Sequence, residues 1–532
     1  MAQLLDIFGY LSVLLRGLSF AFEALTVGGV IFVLAIGRGS LGGDARRNTL
    51  RWLGYAAILL TITQACVMAL NAAILTGTTD LRLADVTGAG FWLAGCFGMA
   101  GGLAIATLKA TRWLSTAAPF GLVSIMIAAL MTSHSVGRLE HRVFLVTSTL
   151  IHHLAGDAWI GGLPYLLVTL RHTQSCLSSA ITARFSRLAL ASVGLSLGAG
   201  ACIAWNYIGS GAALVGTTYG AMLLAKVVLT GTLLLLGLLN WNIARSIRKG
   251  AEPNFLPLRR FAEAEIGIGF TILLAAASLT STPPATDVVG DRVSVREIVE
   301  RMEPRWPRLS TPSVSALSPA TPLNVPPASN LPGSFVPGQS RHPVRPADIA
   351  WSEYNHHWAG LVVLAIGFLA VLSPAFSWAR HWPFAFLGLA IFVFVRADSE
   401  NWPLGPRGFW ESFQVAEVAQ HRFFVLLIIA FAIFEWAVQT NRLSPRRAGL
   451  VFPMACALGG ALLLTHSHSL GNVKEEFLAE LSHLPLSIFA VVAGWSRWLE
   501  LRVPAMRVNV LGRLWPACFV LIGAILLSYR ES

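Results

Sequence analysis

Charged residues are scarce in this sequence. They make up 12% of its 532 residues, whereas hydrophobic residues make up 55%, and the mean hydropathy is +0.64. A water-soluble globular protein carries about 25% charged residues, so the composition excludes an ordinary soluble enzyme or binding domain. We predict an integral membrane protein built entirely from α-helices.

Several motifs of established chemistry are also missing. The six cysteines are scattered and include no Cys-x-x-Cys pair, so neither a zinc site, a thioredoxin-type redox motif nor a covalently attached haem is indicated. The sequence has no Gly-x-x-x-x-Gly-Lys-Ser/Thr loop for nucleotide phosphates and no Asp-Lys-Thr-Gly segment, which argues against an ATP-driven pump. We expect a protein that is not an enzyme.

Long apolar runs, in contrast, are abundant. Runs of roughly 17–25 residues, long enough to cross the hydrocarbon core of a bilayer, occur at about fourteen places. The predicted spans begin near Tyr10, Trp52, Gly88, Trp113, Arg142, Arg184, Thr217, Phe261, Trp358, Trp382, Arg422, Gly449, Phe477 and Leu514. The sequence therefore predicts a polytopic protein with about 14 transmembrane helices.

The predicted helices form two repeat-related halves. The segment Ser133–Gly137 (SHSVG) reappears at Ser467–Gly471 (SHSLG), each time between apolar runs. We assign residues 1–281 to a first membrane domain of about eight helices and residues 354–532 to a second of about six. Residues 282–353, rich in Pro and Ser, are predicted to form a largely disordered or extended tether on the outer face.

The tether provides a direct test of this topology. Its composition cannot bury a core, so limited proteolysis applied from the periplasmic side of spheroplasts is expected to cut within residues 282–353 before any other region. Protection of the whole segment would contradict both the predicted disorder and the predicted orientation.

Charge asymmetry between the loops predicts the orientation. One set of loops is rich in arginine and the opposite set carries most of the acidic residues, and arginine-rich loops usually face the cytoplasm. Both termini are then periplasmic. The sequence pI of about 10.0 follows from this topology, so we expect the lipid bilayer, and no nucleic acid, as partner.

Histidines concentrate on the predicted outer face, which points to a metal site. Neutral imidazole suits copper, zinc, nickel and iron. The candidate ligands are His134, His141, His152, His153, His421, His466, His468 and His483. Neighbouring side chains expected to support these ligands are Asp157, Glu480 and Trp159.

Asp157 has the clearest predicted role among these supporting residues. It follows His153 by four positions, which places the two on one face of a helix near the middle of the membrane. An ionisable pair there is costly and indicates function. We expect Asp157 to accept a hydrogen bond from His153 and so orient its ring for copper.

One segment resembles a known family. The run His152–Pro164 (HHLAGDAWIGGLP) is similar to the His-x-x-x-x-x-Trp-x-Gly-Gly-Leu signature of the copper resistance protein D (CopD) family, and further similar segments extend the likeness over residues 10–285. The second half resembles the additional membrane domain of long family members. The resemblance implies a bacterial inner-membrane protein that receives copper from a periplasmic copper-binding protein and passes it across or into the membrane.

Two other functions remain compatible with the sequence. Histidines paired across a helix bundle also ligate haem b in membrane cytochromes, so a haem-containing or quinone-linked electron carrier is the first alternative. A copper chaperone for oxidase assembly, without transport, is the second. A Soret band in the purified protein distinguishes the haem protein from the two copper proteins.

Overall fold

The computed structural model contains helices in every part of the chain that it describes. The described residues are 2–37, 41–107, 114–171, 175–248, 255–303, 305–317, 345–414, 416–444, 448–465, 474–503 and 511–531. Within these ranges there is no β-strand, and the single β-bridge joins Asn401 to Arg407. The predicted all-α fold is therefore confirmed.

The chain divides into two compact units. The first comprises Met1–Gly209 and Met222–Thr286, and the second Ser210–Ala221 and Asp287–Ser532. The helices between residues 1 and 286, in chain order, are α1 (Ala2–Ile31), α2 (Gly43–Thr78), α3 (Leu83–Val86), α4 (Gly90–Ala106), α5 (Leu114–Met131), α6 (His134–Gly137), α7 (Arg142–Gly156), α8 (Leu163–Arg171), α9 (Ser175–Ile208), α10 (Gly211–Val215), α11 (Thr218–Arg248) and α12 (Phe255–Ser281). Of these, α10 and the first turn of α11 belong to the second unit.

The remaining helices belong to the second unit. They are α13 (Val295–Met302), α14 (Pro346–Leu372), α15 (Ala385–Arg396), α16 (Ala416–Gln439), α17 (Val451–Leu463), α18 (Lys474–Arg502) and α19 (Leu511–Leu527). Aromatic rings pack together in the core of this unit. There Phe452 contacts Trp382, Phe386, Trp515 and Phe519. Offset and edge-to-face ring pairs of this kind stabilise the core beyond the area they bury.

The lengths of the helices identify a multi-pass membrane protein. Among the described residues, nine helical segments are long and apolar enough to cross a bilayer, and four shorter apolar helices accompany them. A helix lies at each of the fourteen predicted positions. The helix at Phe477, α18, carries charged residues at both ends and is outside both groups.

The predicted tether contains more structure than expected. Helix α13 begins with a capping box in which the Ser294 hydroxyl accepts a hydrogen bond from Glu297 N–H, while the Glu297 carboxylate accepts one from Ser294 N–H. Such reciprocal capping stabilises a short helix. The prediction of a disordered segment is thus wrong for residues 295–302, and residues 346–353 belong to α14. Residues 318–344 lie outside the described ranges, and the assigned domain limits stay predictions.

Candidate functional site

A π-helical turn, Asp157–Gly161, interrupts the helix that carries the histidine pair, between α7 and α8. All five of its residues are buried. Pro164 follows closely, and because proline has no backbone N–H it cannot bond to the Ile160 carbonyl four residues earlier. Single π-turns inside α-helices are frequent at functional sites.

Helix α1 packs directly against this π-turn. A methyl group added at Gly161 would overlap the carbonyl oxygen of Ala24, and one added at Gly28 would overlap the carbonyl oxygen of Asp157. The glycine hydrogens therefore permit a backbone contact that any larger residue would prevent. This contact brings the middle of α1, including Glu23, alongside the last turn of α7.

Glu23 holds His153. The Nδ1 atom of His153 lies 3.0 Å from Oε1 of the Glu23 carboxylate, and the side chain of Glu23 is 5% exposed. The ring of Phe20, one turn earlier on α1, meets the imidazole edge to face at 5.9 Å. The orientation of His153 is thus fixed by α1.

His152 is held from the other side. Its Nδ1 atom lies 2.9 Å from the carbonyl oxygen of Ser196 on α9 and 3.3 Å from the Ser196 hydroxyl. A methyl group at Gly200 would lie 3.2 Å from the imidazole, so the ring packs against the bare backbone of α9. Two adjacent residues of one helix are therefore bonded to two different neighbouring helices.

These two bonds determine which nitrogen of each ring can bind a metal. The Ser196 carbonyl can only accept a hydrogen bond, so Nδ1 of His152 carries the proton, and an ionised Glu23 imposes the same tautomer on His153. The Nε2 atom of each neutral ring then keeps its lone pair. The two rings lie 6.4 Å apart, centroid to centroid, at 77°. Each ring thus keeps one nitrogen of the kind that binds metals.

Asp157 does not play the predicted role. The residue is 4% exposed, and its Oδ2 atom has no hydrogen-bond partner among the described residues. Side chains on an α-helix tilt towards its N-terminus, so His153 reaches away from Asp157 and towards Glu23. The residue that orients His153 is thus Glu23, although Asp157 is close enough to Glu23 to interact with it electrostatically.

The other predicted residues of the first unit do not join the histidine pair. His134 packs edge to face against Tyr207, with ring centroids 6.2 Å apart, and the neighbouring Ser135 hydroxyl bonds to Thr149 of α7. His141 occupies the N-cap position of α7 in a left-handed conformation with φ 51°, makes no side-chain capping hydrogen bond there, and is exposed. Trp159 is buried in the π-turn.

In the second unit, two predicted ligands have other neighbours. Nδ1 of His421 lies 2.9 Å from Oδ1 of Asp398, and the ring of His483 lies 6.1 Å from that of His356 and 5.9 Å from that of Tyr529. His466 and His468 lie outside the described residues, as does the side chain of Glu480.

No complete metal site is present in the part of the chain that the structure describes. Within it, no group of three or more His, Cys, Asp or Glu side chains is arranged to hold a metal ion. The His152 and His153 pair supplies two ligand atoms and a carboxylate behind one of them. The assignment of the eight histidines as metal ligands stays a prediction.

Glu23 belongs to no sequence motif. It is the single carboxylate of α1 after Asp6, within the apolar segment that begins at Ile7, and an ionisable residue within a membrane span indicates function by itself. That signal was present in the sequence. Its partner could not be identified, because 130 positions separate Glu23 from His153.

Fold and site together define an all-helical multi-pass membrane protein in which two neighbouring histidines are oriented by two different helices. Residues 179–279 match the family model of Copper resistance protein D, so the resemblance to that family is confirmed over this region. The region includes Ser196, which accepts the hydrogen bond of His152. It is shorter than the predicted likeness over residues 10–285 and begins after the histidine pair.

A curated relative supports the same family. Over 168 residues the chain is 30% identical to the "Copper transport protein CutJ" of Bacillus subtilis (strain 168). The alignment covers 31% of this chain and 29% of that relative's length. No solved structure matches the chain.

Proposed function

We propose that this protein binds copper and passes it across or into the bacterial inner membrane. In this proposal copper is the cargo, a periplasmic copper-binding protein is its donor, and both termini are periplasmic. The protein catalyses no covalent reaction. The family match over residues 179–279 and the relative described as a copper transport protein support copper as the metal.

The observation that carries the proposal is the orientation of the histidine pair. Nδ1 of His152 is bonded to Ser196 and Nδ1 of His153 to Glu23, which leaves Nε2 of each ring as the ligand atom. A carboxylate behind a metal-binding imidazole fixes the tautomer and raises its basicity. The pair lies towards the C-terminal end of the 15-residue helix α7. In this proposal that end is inside the membrane, where the binding sites of transporters usually lie.

The test is copper binding and transport by the full chain. Purified protein is expected to bind copper without a Soret band, and proteoliposomes containing it are expected to exchange copper faster than protein-free vesicles. A Soret band would favour the haem-containing alternative. Copper binding without any transport in proteoliposomes would favour a chaperone.

A double variant locates the bound copper. The variant that carries both His152→Ala and His153→Ala is expected to bind less copper per protein than wild type. His381→Ala is the control, because His381 accepts a hydrogen bond from Trp436 in the second unit and lies on the predicted cytoplasmic side. Equal copper stoichiometry in the double variant and in wild type would contradict the assignment of this pair.

A further inference from the structure

The second unit contains a positively charged cavity that the proposed copper function does not use. Its volume is about 290 Å³, and its walls include Arg305, Trp306, Arg308, Glu353 and Arg530. Three guanidinium groups thus face one carboxylate. That carboxylate, Glu353, is already paired with Arg308 at 3.0 Å.

The other two arginines face their nearest carboxylates at a greater distance than Arg308 does. Arg305 approaches Glu303 only to 3.9 Å, and both side chains are largely exposed, so their interaction is weak. Arg530 donates to the backbone carbonyl of Glu300, which carries no net charge. Burial lowers the pKa of Arg530, as does the neighbouring guanidinium of Arg305, whereas the carboxylates of Glu303 and Glu353 raise it.

The walls of the cavity are held in place. The imidazole of His357 accepts a hydrogen bond from the backbone N–H of Arg308 at 2.7 Å through Nδ1 and donates one to the carbonyl oxygen of Tyr529 at 2.8 Å through Nε2. His357 belongs to α14, and Tyr529 follows the end of α19. One buried ring therefore joins the segment around Arg308 to the ends of two apolar helices.

The position of the cavity relative to the membrane follows from the length of α14. Its 27 residues span roughly 40 Å at 1.5 Å each, about 10 Å more than the hydrocarbon core. Glu353 lies in the second turn of α14, and Leu527, the last residue of α19, also lines the cavity. With that excess at the N-terminal end of α14, the cavity is at the level of the lipid headgroups.

Apolar residues are exposed on the cavity wall, at Trp306, and on α13, whose Glu300 carbonyl accepts a hydrogen bond from Arg530. The side chain of Trp306 is 96% exposed, and Val295, Val299 and Met302 of α13 are each more than half exposed. Three of these follow one face of the helix, because they are separated by four and three positions. An indole beside a cationic group is typical of the membrane interface, where its ring contacts the upper acyl chains.

We propose that this cavity binds the phosphate group of an anionic phospholipid, with Arg305 and Arg530 as its ligands and Trp306 beside the acyl chains. Guanidinium groups are suited to phosphate because their N–H donors match its oxygens in pairs. Free phosphate shares this chemistry, but the exposed apolar side chains and the depth of the cavity favour a lipid.

Native mass spectrometry of the purified full-length protein tests this proposal, with phosphatidylglycerol as the probe. We expect Arg305→Gln to weaken phosphatidylglycerol binding about tenfold, the effect of one charge-assisted contact, and Arg530→Gln to weaken it at least as much. Arg305 is suitable because its exposed side chain contributes little to folding. The control is Arg296→Gln, which removes the same charge from α13 at a residue 87% exposed and paired with Glu300.

The outcomes are distinct. Selective loss of phosphatidylglycerol in the Arg305 and Arg530 variants, with unchanged binding in the Arg296 variant, supports the proposal. Equal binding in all variants, or an equal loss in the Arg296 variant, overturns it. Displacement of the lipid by inorganic phosphate at an equal concentration also overturns it, because the site would then bind a free anion. Copper binding by the first unit is unaffected in either case.

Discussion

Replacement of Glu23 by glutamine is expected to weaken copper binding about 10–100-fold, the usual effect of losing the group that orients a metal-binding imidazole. Glutamine keeps the size of the side chain and can still accept a hydrogen bond from His153, but it removes the negative charge that stabilises the protonated Nδ1 tautomer. The measurement is a copper titration of purified protein, with thermal unfolding followed in parallel.

The matched control is Glu265→Gln. Glu265 is another buried glutamate in a membrane helix of the first unit, 3% exposed against 4% for Glu23, and it accepts a hydrogen bond from Asn240 rather than from a histidine. Its replacement is expected to leave copper affinity unchanged. A comparable loss of copper affinity in both variants would show that replacing any buried glutamate weakens copper binding. The specific role of Glu23 would then be refuted.

The second large effect is expected from Gly161→Ala. The added methyl group would overlap the Ala24 carbonyl of α1, so α1 must move away from the π-turn. Overpacking of this kind costs about 1–3 kcal/mol, more than the roughly 1 kcal/mol by which alanine is preferred to glycine in a helix. We expect a lower unfolding temperature in detergent and weaker copper binding, because the displaced helix carries Glu23.

Gly156→Ala is the control for this variant. Gly156 lies five residues earlier, where the nearest atom to an added methyl group is the Ser196 hydroxyl at 4.0 Å. Alanine fits there and is expected to leave copper affinity unchanged and stability equal or slightly higher. If Gly161→Ala were as stable as Gly156→Ala, the close packing of α1 on the π-turn would be contradicted.

The fold class could be predicted from composition and apolar run length because a bilayer imposes a narrow range of helix lengths. Helices lie at all fourteen predicted positions, including the short α15 and α17. Helix α13 was missed because its eight residues are too few for a clear periodicity and lie in a Pro- and Ser-rich region. Its capping box, Ser294 with Glu297, was a readable signal.

The site was only partly predictable. The histidine pair and its signature are local in sequence and could be found, but its hydrogen-bond partners could not. Sequence spacing predicts Asp157 as the partner of His153 because it reveals only neighbours on the same helix, three or four positions apart. The actual partners, Glu23 and Ser196, come from α1 and α9, and tertiary packing alone determines them.

In the proposed copper site, the attachment of His152 to α9 and of His153 to α1 links metal coordination to the spacing of those two helices. The two histidines are adjacent in the chain, so their backbones move together. A displacement of α1 relative to α9 must therefore either rotate one imidazole or break the hydrogen bond that holds it, His152 to Ser196 or His153 to Glu23. Rotation of one imidazole changes the distance between the Nε2 atoms, and loss of its hydrogen bond frees the ring to rotate. By thermodynamic reciprocity, an ion that prefers one such distance favours the matching separation of α1 and α9, and a force that changes this separation changes the affinity for the ion.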